Sequence, residues 1–143
     1  MVGNAPRWVA ALLGTHATEL VARIALTCPF WISGIVKLLD FPAAVAEQAH
    51  FGLQPAAALA GLTIAVQLAG SAAVISGRLA WLGAGALGVF TAIATVIAHA
   101  YWNLEGHERF MARNIFFEHV AIIAGLWLAA VLAGREAGAR SGT

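Results

Sequence analysis

The chain has 143 residues and a formal net charge of +1; it is 61% hydrophobic, only 10% charged, and has a mean hydropathy of +0.82. Soluble domains carry about 25% charged residues, so this composition excludes an ordinary soluble fold, and near-neutrality excludes the basic field of a nucleic-acid binder. The single cysteine, Cys28, lies in an apolar stretch, cannot form an intramolecular disulfide, and reads as a small core residue.

In chain order, the first segment is an N-terminal tail, residues 1–16. It is not a secretory signal, because its apolar core from Trp8 to Leu13 is short and is bracketed by Arg7 and His16. A short interfacial helix is expected there. A transmembrane helix needs about 20 mostly apolar residues, and four windows qualify: residues 17–39, 56–76, 80–102 and 115–133. The first contains Arg23 and Lys37, about 21 Å apart at 1.5 Å per residue, each near one end where a basic side chain snorkels to the headgroups. Glu19, Arg23, Thr27, Phe30, Gly34 and Lys37 form one stripe of this helix, with Glu19 and Arg23 placed as an i, i+4 ion pair. Pro29 leaves the Ala25 carbonyl without its usual donor and reads as a kink.

Residues 40–55, with Pro42, Gly52 and Pro55, form the longest expected loop. The second span carries Gln67 and Ser71 near its middle, and residues 77–79 form a tight turn into the third. On the third span, Gly83, Gly85 and Gly88 read as packing positions, while Thr91, Thr95 and His99 line one stripe. Residues 103–114 form a charged loop, and residues 134–143 a flexible C-terminal tail. No window alternates with period two, so a barrel is not expected. The expected fold is an all-α membrane protein, a single four-helix transmembrane bundle over residues 17–133. The Lys/Arg balance of the short loops weakly favours both termini in the cytoplasm, and Trp8 and Trp81 on one side, with Tyr101, Trp102, Phe116 and Phe117 on the other, resemble aromatic belts.

The polar residues gather. Glu118 and His119 lie side by side within the apolar run 115–133, which has no other ionisable residue. Intramembrane ionisable groups are functional-site candidates. His99 is expected about one turn from the outer end of the third span, Asn114 faces the same way as Glu118, and Asp40, Glu47 and His50 lie in the outer loop. Three chemical readings compete. His99 and His119 would ligate a metal or haem from two helices, although no recognised metal-ligand or haem-attachment spacing is present. Glu118, His119 and His99 would hydrogen-bond a quinone and pass protons, since histidine titrates near neutrality. Or the groups would simply satisfy one another and tie helices together at roughly 1 kcal/mol per contact.

The same residues carry a family resemblance. The run from Arg23 through Cys28-Pro29-Phe30-Trp31 to Lys37 and Asp40, then Gln67-Leu-Ala-Gly70-Ser71, Gly83 to Thr91, Ala98-His99-Ala-Tyr-Trp102 and Asn114-Ile-Phe-Phe-Glu118-His119, resembles the DoxX family. The resemblance runs from about Arg23 to Ala133. It implies a small bacterial inner-membrane protein with four helices, similar to the DoxD-type subunit linked to thiosulfate:quinone oxidoreduction, and an association with quinone-linked or oxidative-stress redox systems. Residues matching the family pattern are Arg23, Lys37, Gln67, His99, Glu118 and His119.

The resulting expectation is a redox-associated protein whose polar pocket near the outer face holds a quinone-type lipid-soluble ligand. Glu118, His119 and His99 are the candidate catalytic groups. Asn114, Lys37, Asp40 and Gln67 join them as ligand contacts, with no metal. Three alternatives stand beside it: a non-catalytic membrane partner or assembly factor for a soluble redox enzyme, a small-solute transporter, and a haem protein. Expected partners are the bilayer, a soluble or membrane redox protein, and a further copy of the chain.

Overall fold

The computed structural model describes residues 6–141, and within them every regular element is helical. A short helix, α1 (Arg7–Leu13), precedes α2 (His16–Leu39), whose first turn is capped by Thr15, its Oγ1 accepting the Thr18 N–H at 3.2 Å. α2 runs unbroken through Pro29 and buries Thr27, Phe30 and Gly34, three members of its expected stripe. A ten-residue helix, α3 (Phe41–His50), follows at once, then α4 (Ala56–Ser76) and α5 (Ala80–Ala98), a single 3-10 turn (Tyr101–Asn103), and α6 (Gly106–Ser141). Four stretches are long and apolar enough to cross a membrane: His16–Leu39, Ala56–Ser76, Ala80–Asn103 and Gly106–Arg135. The protein is a multi-pass bundle of four transmembrane helices.

Three expectations need correction. The loop expected at residues 40–55 contains α3, because Asp40 caps it, its Oδ1 accepting the Ala43 N–H at 3.1 Å, and Pro42 falls in the first turn, where a missing N–H costs nothing. The charged loop expected at residues 103–114 is helical from Gly106 onward, and α6 continues past residue 133 to Ser141. Charged residues end a membrane span but not a helix: Glu, Arg and Lys are good helix formers.

Packing is sequential. α4 lies between α2 and α5, and α6 packs mainly on α5 and only lightly on α2. Close approach is set by glycine. A Cβ on Gly83 would lie 2.6 Å from the Gly70 carbonyl oxygen, and one on Gly34 would lie 2.8 Å from Leu68 Cδ2. Gly85 and Gly88 face open space, so of the three glycines expected to pack on this helix only Gly83 does. The central core is Phe30, Val74, Ala84, Leu87 and Leu126. At one end Arg23 joins Glu19 in the expected ion pair and also donates from Nη1 to the Val74 carbonyl at 3.3 Å, tying α2 to the last turn of α4. At the other end Tyr101, Trp102, Phe116 and Phe117 pack edge to face, which fastens the corner between α5 and α6.

Candidate functional site

A cavity of about 900 Å³ lies among α2, α3, α4 and α5, with α6 contributing His119 and Ile122. It extends from Trp81 and Leu82 near the start of α5 to Lys37, Glu47 and His99 at the opposite end of the bundle. Its walls are chiefly apolar, with Phe30 and Phe90 in edge-to-face contact at 6.5 Å. Leu62, Leu82, Val89 and Ile93 line it and are each at least half exposed (58, 50, 62 and 56%). The cavity therefore opens sideways, along α4 and α5, onto surface that faces lipid in a membrane.

Polar groups occupy two levels. At the α3 end, Lys37 is paired with Glu47, which bridges α2 to α3, and the largely buried Gln48 lies beside them. His99 and His119 come together there, their rings edge to face at 5.2 Å. His99 is the residue that ends α5: its N–H reaches the Thr95 carbonyl at 2.9 Å and its carbonyl accepts from Tyr101. It thus sits at the helix terminus, not a turn inside it. His119 is held by Thr95, whose Oγ1 lies 2.8 Å from His119 Nδ1. Deeper, Gln67 is 5% exposed, donates from Nε2 to Ser33 Oγ at 3.3 Å, and buries an Oε1 with no hydrogen-bond partner among the described residues. Buried polar atoms nearly always have partners.

Of the expected contacts, the structure brings Lys37, Gln67, His99 and His119 to this cavity. It does not bring Glu118, Asn114 or Asp40. Adjacent residues on a helix point about 100° apart, so with His119 turned toward α5, Glu118 is exposed on the outward side, and Asn114, four residues earlier, is exposed with it. Asp40 is exposed and serves as the cap of α3. The expected Glu118–His119 pair is therefore split between two surfaces. Ser33, Gln48 and Thr91 also line the cavity but were not expected there. Ser33 could have been found as the i−4 neighbour of Lys37; Gln48 was hidden because its helix reads as loop.

The described residues hold no group of three or more His, Cys, Asp or Glu side chains placed to hold a metal ion. The His99 and His119 rings touch each other edge to face, an arrangement that leaves no gap for a macrocycle between them.

Residues 18–100, more than half of the chain, match the DoxX family model. The match takes in α2 to α5, and so Lys37, Gln67 and His99, and stops before α6, so His119, Glu118 and Asn114 lie beyond it. No match was found among curated proteins or solved structures. By the extent of the family match, on four membrane-crossing helices, the chain belongs to the DoxX family.

Proposed function

We propose that this protein is a redox-associated subunit of a bacterial inner membrane, with both termini cytoplasmic, and that it holds a quinone-type lipid-soluble molecule in the cavity between α2, α4 and α5. The observation that carries the reading is the cavity. Its volume falls within the roughly 300–1,000 Å³ of small-molecule sites, it opens toward lipid, and its polar side chains are few and grouped. Such a shape suits an apolar tail lying along α4 and α5 with a polar ring among His99, His119 and Gln67. Lys37 and Glu47 close the α3 end as a neutralised pair.

The test is equilibrium binding of ubiquinone or menaquinone to the protein in lipid nanodiscs, followed through the fluorescence of the cavity residue Trp81 with Trp81→Phe as control. Saturable binding is expected, weakened about tenfold in His119→Ala, the loss of one hydrogen bond to a buried polar group. Absence of saturable binding rejects the reading; equal affinity in wild type and His119→Ala removes the role given to His119.

A second reading, a membrane partner for another redox protein or a further copy of the chain, is favoured by one observation. Asn114 and Glu118 are exposed on α6 and make no hydrogen bond or ion pair among the described residues. Polar groups on membrane helices usually pair with other protein groups.

A further inference from the structure

The buried hydroxyls of α5 turn their protons back onto their own helix. Thr91 Oγ1 donates to the Leu87 carbonyl at 2.7 Å, and Thr95 Oγ1 donates to the Thr91 carbonyl at 2.6 Å. A hydroxyl has one proton and two lone pairs. With its proton committed to Thr91, Thr95 Oγ1 acts as acceptor in its 2.8 Å contact with His119 Nδ1. In a neutral imidazole the hydrogen bond made by one ring nitrogen fixes the state of the other. His119 therefore carries its proton on Nδ1 and presents a lone pair at Nε2.

A second acceptor belongs to the same cavity. Gln67 donates through Nε2 to Ser33, and its Oε1 is buried without a donor among the described residues. Among the described residues, the one Lys or Arg lining the cavity, Lys37, is already paired with Glu47. Among the described residues, the acceptors left without a donor are thus the His119 Nε2 lone pair and the Gln67 amide oxygen, while the His99 ring, the Gln48 amide and the Ser33 hydroxyl line the same cavity as donors. A hydroquinone O–H both donates and accepts and so can meet both sets of groups, whereas the oxidised quinone brings only carbonyl acceptors and leaves the His119 and Gln67 acceptors unmet.

We propose that the Thr91–Thr95–His119 chain makes this cavity select the hydroxyl-bearing, reduced form of a quinone-type molecule over its oxidised form. The proposal rests on the quinone-type reading of the cavity. Thr95 does not line the cavity and acts through the ring it orients, as a positioning residue.

The experiment measures affinities of the nanodisc-embedded protein for a short-chain ubiquinol and for the matching ubiquinone under anaerobic conditions. In wild type the quinol is expected to bind about tenfold or more tightly, since a carbonyl set against a buried acceptor forfeits at least one hydrogen bond. Thr95→Val frees the ring from its fixed tautomer and should bring the two affinities close to parity without weakening the quinone. Thr95→Ser keeps the acceptor and should restore the preference. Binding of neither form rejects the quinone-type reading itself. Binding of both with equal affinity, or tighter binding of the quinone, leaves that reading standing and overturns the selectivity. An unchanged preference in Thr95→Val overturns the role of the threonine chain. A tautomer readout independent of ligand is ¹⁵N NMR of histidine-labelled protein, with His119 identified by its loss in His119→Ala; a protonated Nε2 with a bare Nδ1 contradicts the proposal.

Discussion

Single side chains in this protein are held by short-range chemistry that separates stability from binding. Gln67 is the sharpest case, because a buried oxygen without a partner costs roughly 1–3 kcal/mol of desolvation and sits beside the cavity. Gln67→Leu, close in volume, is expected to leave the thermal midpoint in detergent unchanged or higher by a few degrees while weakening ligand binding at least severalfold. Lower stability together with intact binding would contradict this. Asp40 is the converse. As the cap of α3 it accepts from the Ala43 N–H and does not reach the cavity. Asp40→Ala should cost about 1 kcal/mol of stability, with Asp40→Asn largely sparing it, and both should bind ligand with wild-type affinity. A selective loss of binding in Asp40→Asn would return Asp40 to the site.

Between elements, glycine decides how closely helices approach. Gly83 meets backbone on α4, the Gly70 carbonyl oxygen, which cannot rotate away as a side chain would. Gly83→Ala must push α4 and α5 apart, and a loss of about 1–3 kcal/mol, the usual cost of overpacking, is expected by thermal or denaturant unfolding in detergent. Gly88 on the same helix faces open space, so Gly88→Ala should be neutral or slightly stabilising through helix propensity. Equal effects at both positions would show that the crossing is looser than described. At the far end Gly77 adopts a left-handed backbone, φ 74°, with the Arg23 guanidinium packed against it. The turn and the Glu19–Arg23 pair therefore form one joint between α2 and the start of α5.

At the scale of the molecule, α6 uses one side to bind α5 and leaves Asn114 and Glu118 on the other. If that surface meets another chain, Glu118→Leu should reduce co-purification or dimer content measured by crosslinking in membranes, while quinone affinity stays within about twofold of wild type. Loss of quinone binding instead would place Glu118 back with His119. The proposed orientation is checked by reporter fusions at each terminus, both of which should report the cytoplasmic side.

The sequence by itself determined the class, the spans and much of the polar inventory. Twenty-residue apolar runs are dictated by bilayer thickness, so the windows at residues 17–39 and 56–76 coincide with α2 and α4 to within a residue. The Glu19–Arg23 pair and the Thr91, Thr95 and His99 stripe followed from helical period alone. Where a helix outruns the membrane the signal fails, because hydropathy marks where lipid ends and not where hydrogen bonding ends; hence the misplaced ends of α6 and the unseen α3. Only the tertiary structure decided which side of each helix faces which neighbour. Helical period places Glu118 and His119 about 100° apart but cannot say which of them looks inward. The packing of α6 on α5 turned His119 onto Thr95 and left Glu118 outside, and the packing of α4 between α2 and α5 set Gln67, distant in sequence, beside one cavity with both inward histidines.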